Sequence, residues 1–361
     1  MRRKILLNPG PATTTDRVKQ SMVVEDICPR EKEFGQVMHD ISDGLLKIGN
    51  GEKSHAVGLF GASGTGAMEA VVTSAIGKND HVLIIKNGAY GIRMAKICEN
   101  YDVSYDTMFE FGDYPDVQLI REQLASRAYS HLIIIHHETS TGMMNPLEEV
   151  SKLCEEKGVR LILDAMSTFG ACPIDLSSLK IDYLISSSNK GVHGMAGISF
   201  VIFHKDCLEE LKKNARGFYF DLYSQWKNLQ EKDQLRFTPP VQVAYALKEA
   251  IDETLEETVE KRWMRYTNNW QMLYDGLEKM GFSFFLPYEQ QSKILLAINL
   301  DKGVELDFNA FHDYLYENDI TIYPGVIPES STFRVSVIGD LYPNDINYAL
   351  EHMREFFRKR N

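Results

Sequence analysis

Between residues 81 and 204 the chain sets down five short apolar runs in quick succession: HVLIIKN (81–87), HLIIIHHE (131–138), RLILDAM (160–166), IDYLISSS (181–188) and GISFVIFH (197–204). Runs this short, in which polar and apolar residues do not alternate, suit strands covered on both faces, and helical patterns separate several of them. One such pattern is NPLEEVSKLCEEKG, where Asn145 is expected to cap, Pro146 to suit the first turn, Glu148 and Glu149 to favour the positive end of the helix and Gly158 to end it. Strands alternating with helices imply crossover connections, so the expected fold class is α/β, a doubly wound and largely parallel sheet.

The 361 residues are more than one core usually organises. After about residue 240 the pattern changes to long helices, VAYALKEAIDETLEETVEKRWMRYTNNWQMLYDGLEKMG, then to the strands KILLAINL and FRVSVIG and a closing helix. This reads as a second, smaller α+β domain that the N-terminal segment joins. The expected division is a large domain over 16–250 and a small one made of 1–15 and 251–361.

Charge and cysteine usage narrow the function. A formal net charge of −12 speaks against broad contact with nucleic acid or an anionic membrane, since phosphate-rich surfaces demand basic residues. A small anionic substrate, held by one local arginine, is compatible with it. The five cysteines, Cys28, Cys98, Cys154, Cys172 and Cys207, are odd in number and include no CxxC pair, which disfavours a disulfide framework and a zinc site and fits a reducing cytoplasm. The opening MRRKILLNPGP has too short an apolar run for a signal peptide, and no stretch approaches the roughly 20 apolar residues of a membrane span.

In doubly wound sheets, ligands bind beyond the carboxyl ends of the strands, which directs attention to the residues that follow each apolar run. FGASGTGAMEA (60–70) combines glycines with Ser63 and Thr65 at the start of a helical stretch, a place where backbone N–H groups can approach an anion. It lacks the lysine of a P-loop and the spacing of the dinucleotide fingerprint. Asp164 ends the apolar run LILD, where burying an acid costs several kcal/mol without a partner. Lys190 follows the next run, between small hydroxyl residues and glycines in SSSNKGVHGMAG. Tyr90, in NGAYG, can offer a flat ring face. Each has an ordinary structural reading by itself: a tight turn, a strand-end acid, a surface lysine, a core aromatic. Together they ask for one ligand with an anion, a flat ring, a basic ring nitrogen and a carbonyl, and pyridoxal 5′-phosphate (PLP) has all four. Lys190 would form the Schiff base, which requires its unprotonated form and so a depressed pKa.

The stretches SGTGAMEA, NGAYG, ETSTGMMNP, LILDAMSTFG, SSSNKG, RFTPP and FRVSVIG, in this order, resemble the class V aminotransferases of PLP fold type I. The resemblance runs nearly end to end, from LLNPGPATTT through DICPREKEF to YPGV near position 325. It implies a mostly parallel sheet of the seven-stranded type with a smaller C-terminal α+β domain. It further implies that Ser63, Gly64 and Thr65 hold the cofactor phosphate, that Tyr90 stacks on the ring, that Asp164 pairs with the ring nitrogen and that Asn189 can reach the phosphate. Ser140, or alternatively Thr139, matches the contact near the ring hydroxyl, and Arg334 matches the arginine that holds a substrate carboxylate. Thr238 matches a phosphate contact made to the other subunit, which implies a homodimer with shared active sites. The implied activity is an aminotransferase that moves the amino group of 2-aminoethylphosphonate to pyruvate in two half-reactions, giving phosphonoacetaldehyde and L-alanine. Alternatives are alanine:glyoxylate or serine:pyruvate transfer and, more distantly, a PLP-fold binding protein without transaminase activity.

The sequence departs from the resemblance after the lysine, where Gly191, Val192 and His193 stand in place of a common Cys-Ile-Gln; this bears on the pocket wall and the choice of substrate. No metal site is expected. His136 and His137 are neighbours on a strand and face opposite ways, while His55 and His193 have no second ligand at useful spacing, so all four read as structural or hydrogen-bonding histidines.

Overall fold

The structure, a computed structural model, describes residues 3–300, 306–325, 327 and 331–358. Val326, the last residue of the YPGV stretch, lies outside them, as do the two ends of the expected small domain. The strands β1 (His55–Phe60), β2 (His81–Ile85), β3 (Ser104–Met108), β4 (His131–Ile135), β5 (Arg160–Asp164), β6 (Tyr183–Ser187) and β7 (Ser199–His204) form one seven-stranded sheet in the order β1-β7-β6-β5-β4-β2-β3. From β3 to β6 the pairing is parallel; β7 runs antiparallel to both β6 and β1.

The register explains why the apolar runs do not alternate. Leu83 and Ile85, Leu132 and Ile134, Leu161 and Leu163 face one core, whereas Val82 and Ile84, Ile133 and Ile162 face the other. Both faces are buried, so every position of a central strand must be apolar. The expected runs supply five of the seven strands. The other two are less legible: β1 (HAVGLF) has a glycine at its centre, and β3 (SYDTM) is a half-exposed edge strand with little apolar content.

A second core assembles Ile5, Leu7 and Ala12 with residues from Tyr266 to Phe356. Its three-stranded sheet consists of β8 (Leu295–Asn299), β9 (Tyr323–Pro324) and β10 (Thr332–Ser336), in the order β8-β10-β9. The N-terminal strand Ile5–Leu6 pairs in parallel with Ile320–Thr321, which draws the NPGP segment that follows across to the large sheet.

One local expectation changes and another gains its boundary. Pro146, not Asn145, occupies the cap position of the helix Leu147–Lys157, and no side chain caps it. The Asn145 amide instead donates to the carbonyl of Ile135 at 2.7 Å and accepts from Asn87 at 2.8 Å, tying the end of β4 to the loop beyond β2. The stretch after residue 240 is divided into two helices, Val241–Glu257 and Val259–Glu278, at Thr258, whose φ of 68° interrupts the helical path while its side chain accepts from the Lys261 N–H.

Candidate active site

Sheet order and strand direction bring the separated motifs together. Asp164 is the last residue of β5, Lys190 lies just beyond β6, and these two strands are parallel neighbours. The helix Gly64–Ser74 starts beside them, with Ser63 extended at its N-cap and making no side-chain capping bond. Ser63, Gly64, Thr65, Tyr90, Asp164, Asn189 and Lys190 all line one cavity of about 390 Å³. Where the helix starts, the cavity is lined by Ser63, Gly64 and Thr65, which bring two hydroxyls and the positive end of the helix to it. Asn189 is oriented by the Ser187 hydroxyl, which donates to its Oδ1 at 3.0 Å.

Asp164 is buried, and the only hydrogen bond to its carboxylate among the described residues comes from the Met166 N–H, which donates to Oδ1 at 2.9 Å. Burial pushes its pKa from 3.8 up to about 7, and the nearby Glu138 carboxylate adds to the rise. An acid so placed is half-satisfied, and a protonated ring nitrogen would complete it. Lys190 moves the other way. Burial first, then the positive charge of Arg334, lower its pKa from 10.5 to about 8, which leaves a useful fraction unprotonated near neutral pH. Its ammonium donates to the Pro9 carbonyl at 2.9 Å. Gly10 is required there: a Cβ on it would come within 2.4 Å of Lys190 Nζ, and its φ is 136°.

Tyr90 lies in the first turn of the helix Ala89–Asn100, with Arg93 over its ring at 4.7 Å. The buried Glu138 accepts from the N–H groups of Tyr90 and Gly91 at 3.2 Å and so fixes this helix start. Glu138 also sets Ser140 and Thr139 in different surroundings. The Ser140 hydroxyl donates to Glu138 Oε1 at 2.7 Å and accepts from the Ala89 N–H at 3.1 Å, so it is committed to the protein, whereas Thr139 lines the inner recess beside Asp164 and Lys190. Arg334 on β10 is buried, donating from Nε to the Pro324 carbonyl at 3.1 Å and from Nη1 to the Thr139 carbonyl at 3.3 Å. Thr238 is exposed and is not brought to this chain's own cavity.

The substitutions after the lysine act elsewhere than expected. Gly191, Val192 and His193 are buried behind Lys190 and do not line the cavity; Ala196 and Gly197 do. A Cβ on Gly191 would lie 2.4 Å from the Phe169 carbonyl oxygen, so glycine is demanded by packing, and the Gly191 carbonyl accepts from Arg262 Nη1 at 2.7 Å. His193 bonds Tyr266, His55 the Ile181 carbonyl and His136 the Thr168 hydroxyl, as structural histidines do. His137 differs. Its Nδ1 bonds Ser167 Oγ at 3.0 Å, but its buried Nε2 has no partner among the described residues and the ring lines the recess beside Lys190. Burial holds its pKa down to about 3, so the imidazole is neutral. Sequence reasoning also passed over Arg93, Glu138 and Pro9; the spacing of Arg93, one turn after Tyr90, was the available signal for it.

Among the described residues no group of three or more His, Cys, Asp or Glu is arranged to hold a metal ion, and no helix is long and apolar enough to cross a membrane.

A lysine and an acid at the carboxyl ends of adjacent strands, facing a helix N-terminus, define the architecture of the fold-type I PLP-dependent transferases, and solved structures agree. An alanine–glyoxylate aminotransferase from Nostoc sp. superposes with a TM-score of 0.91 at 26% identity, covering 99% of this chain and 96% of that one. A ureidoglycine–glyoxylate aminotransferase from Bacillus subtilis, 22% identical with a TM-score of 0.91, shares the fold over 99% of this chain and 94% of its own. Residues 18–329 match the family Aminotransferase class-V, and the chain belongs to that family. Among its relatives is a 2-aminoethylphosphonate–pyruvate transaminase from Bacteroides fragilis, 38% identical over 98% of this chain and 99% of the relative. Another of the same name, from Salmonella schwarzengrund, is 37% identical over 98% and 97%.

Proposed function

We propose that this enzyme uses PLP to move the amino group of 2-aminoethylphosphonate to pyruvate. What carries the substrate reading is near-full-length identity of 36–38% to relatives named for that reaction. The facing of Lys190 and Asp164 across one cavity supports the chemistry. Bound there, the cofactor supplies a carbonyl carbon to take up the amine and a cationic ring to accept electrons.

The residues then divide the work. Lys190 would hold the cofactor at its carbonyl carbon and would serve as the base for the proton on the substrate carbon bearing nitrogen. Its lowered pKa suits both tasks. Asp164 keeps the ring nitrogen protonated, and its burial removes competing water from that contact. Ser63, Gly64, Thr65 and Asn189 hold the phosphate, Tyr90 covers the ring, Thr139 reaches the ring hydroxyl, and Arg334 takes the anionic end of the substrate. Thr238, exposed in a single chain, completes the phosphate site of a second copy in a homodimer. The five free cysteines suit a reducing, cytoplasmic setting.

The test is the visible absorbance of the purified protein during sequential additions. The band of the lysine-bound cofactor should fade with 2-aminoethylphosphonate and return with pyruvate. A band that ignores 2-aminoethylphosphonate but responds to L-serine, or to L-alanine with glyoxylate as the restoring acceptor, would instead support the neighbouring activities, and a colourless protein would remove the cofactor reading.

A further inference from the structure

The two proposed substrates bring different charges to one site. The carboxylate of pyruvate or alanine carries one negative charge, whereas a phosphonate, like a phosphate monoester, approaches two near neutral pH. Two guanidiniums, those of Arg334 and Arg93, lie close enough to Lys190 to oppose its protonation. They are held differently. Arg334 is buried, and its bonds to the Pro324 and Thr139 carbonyls fix its direction before a ligand arrives. Arg93 lines the main cavity with Tyr90 and Asp164, its guanidinium 4.7 Å from the centre of the Tyr90 ring, and among the described residues it has neither a hydrogen-bond nor an ion-pair partner. A ring face steers a guanidinium without consuming its five N–H donors.

Resting on the function proposed above, we infer that Arg93 determines specificity by joining Arg334 in clamping the phosphonate of the amino donor. The cofactor phosphate has its own donors at the helix beginning with Gly64, which leaves Arg93 for the substrate. Only two carbons separate nitrogen from phosphorus in 2-aminoethylphosphonate, so its anion must lie close to the atom on which Lys190 acts. One guanidinium balances a carboxylate. A phosphonate dianion needs a second, and bidentate geometry favours arginine over lysine for it.

The test compares the holoenzyme with Arg93→Gln and Arg93→Lys, measuring the apparent KM for 2-aminoethylphosphonate, that for L-alanine in the reverse half-reaction, and the cofactor retained after dialysis. Arg93→Gln should raise the KM for 2-aminoethylphosphonate by roughly 10- to 100-fold, the range expected for a lost hydrogen bond to a charged group, while changing that for L-alanine little and retaining cofactor. Arg93→Lys should recover part of the loss. Equal weakening of both donors, an unchanged KM for 2-aminoethylphosphonate, or loss of cofactor from Arg93→Gln would each overturn the inference. A wild-type enzyme that accepts L-alanine but not 2-aminoethylphosphonate would overturn the function and this inference together, whereas an active wild type with an unaltered Arg93→Gln variant would overturn the inference alone.

Discussion

Asp164→Asn should separate what this carboxylate costs the fold from what it gives the reaction. With its pKa raised from 3.8 to about 7 by burial, Asp164 binds a proton more tightly in the folded protein than in the unfolded chain. Such a group lowers stability as pH rises from about 4 to about 7, and above that the cost is complete. A rise of this size corresponds to ~4 kcal/mol at pH 8 and less than ~2 kcal/mol at pH 5. Asparagine has the same shape and its oxygen can still accept from the Met166 N–H, so the substitution removes the charge and little else. Cofactor-free Asp164→Asn should therefore be more stable than the cofactor-free wild type at pH 8. For a chain of this length, about 4 kcal/mol is a rise in Tm of about 5 °C, shrinking to about 2 °C or less at pH 5. The variant should nonetheless lose most of its turnover, because a neutral amide does not hold a ring nitrogen protonated. The assay is thermal unfolding of both cofactor-free proteins at the two pH values, with transamination measured beside it. Equal stabilities at pH 8, or a difference that does not depend on pH, would refute the argument that this acid is held ionised at the expense of the fold.

Lys190→Ala should abolish transamination and the visible band, and appreciable turnover in that variant would remove the lysine from its proposed role. Capture of PLP by the cofactor-free protein should accelerate as pH rises through about 8, because the unprotonated lysine is the reactive form. Arg334→Ala should weaken apparent affinity for both substrates by roughly 10- to 100-fold. It should also shift the pH profile of PLP capture to higher pH, since the positive neighbour that helps depress the lysine is gone; unchanged affinities or an unmoved profile would count against it. Gly191→Ala should destabilise the protein by about 1–3 kcal/mol, read as a fall in Tm, because the added methyl meets the Phe169 carbonyl at 2.4 Å; a Tm equal to wild type would show that this backbone yields easily.

The parts of the site that the sequence disclosed are those set by local rules. Asp164 and Lys190 were legible because an apolar run that stops at an acid, and another that stops short of a lysine among small residues, mark the ends of strands, and strand ends are where this type of sheet binds ligands. The turn into the helix at Gly64 was legible from its glycines and hydroxyls. The edge strand Ser104–Met108 was not, because an edge needs no apolar face on either side. Glu138 was passed over, and only packing shows it buried against the start of the Tyr90 helix, where it engages Ser140 while Thr139 lines the recess. Arg93 was not singled out and His137 read as a structural or hydrogen-bonding histidine, and folding brought both beside Lys190.

The sequence by itself determined the doubly wound sheet and the chemistry-bearing residues at its strand ends, because hydrophobic periodicity and turn chemistry act over a few residues and survive in any context. Tertiary structure decided the rest: the depressed lysine, the raised aspartate, the engagement of Ser140 by Glu138, and the bonding of Arg334 from the second core to Thr139, which lines the recess beside Lys190. A pKa shift or a hydrogen-bond partner depends on what lies within a few ångströms in space. Residues 139 and 334 become neighbours only after both cores have formed and packed together.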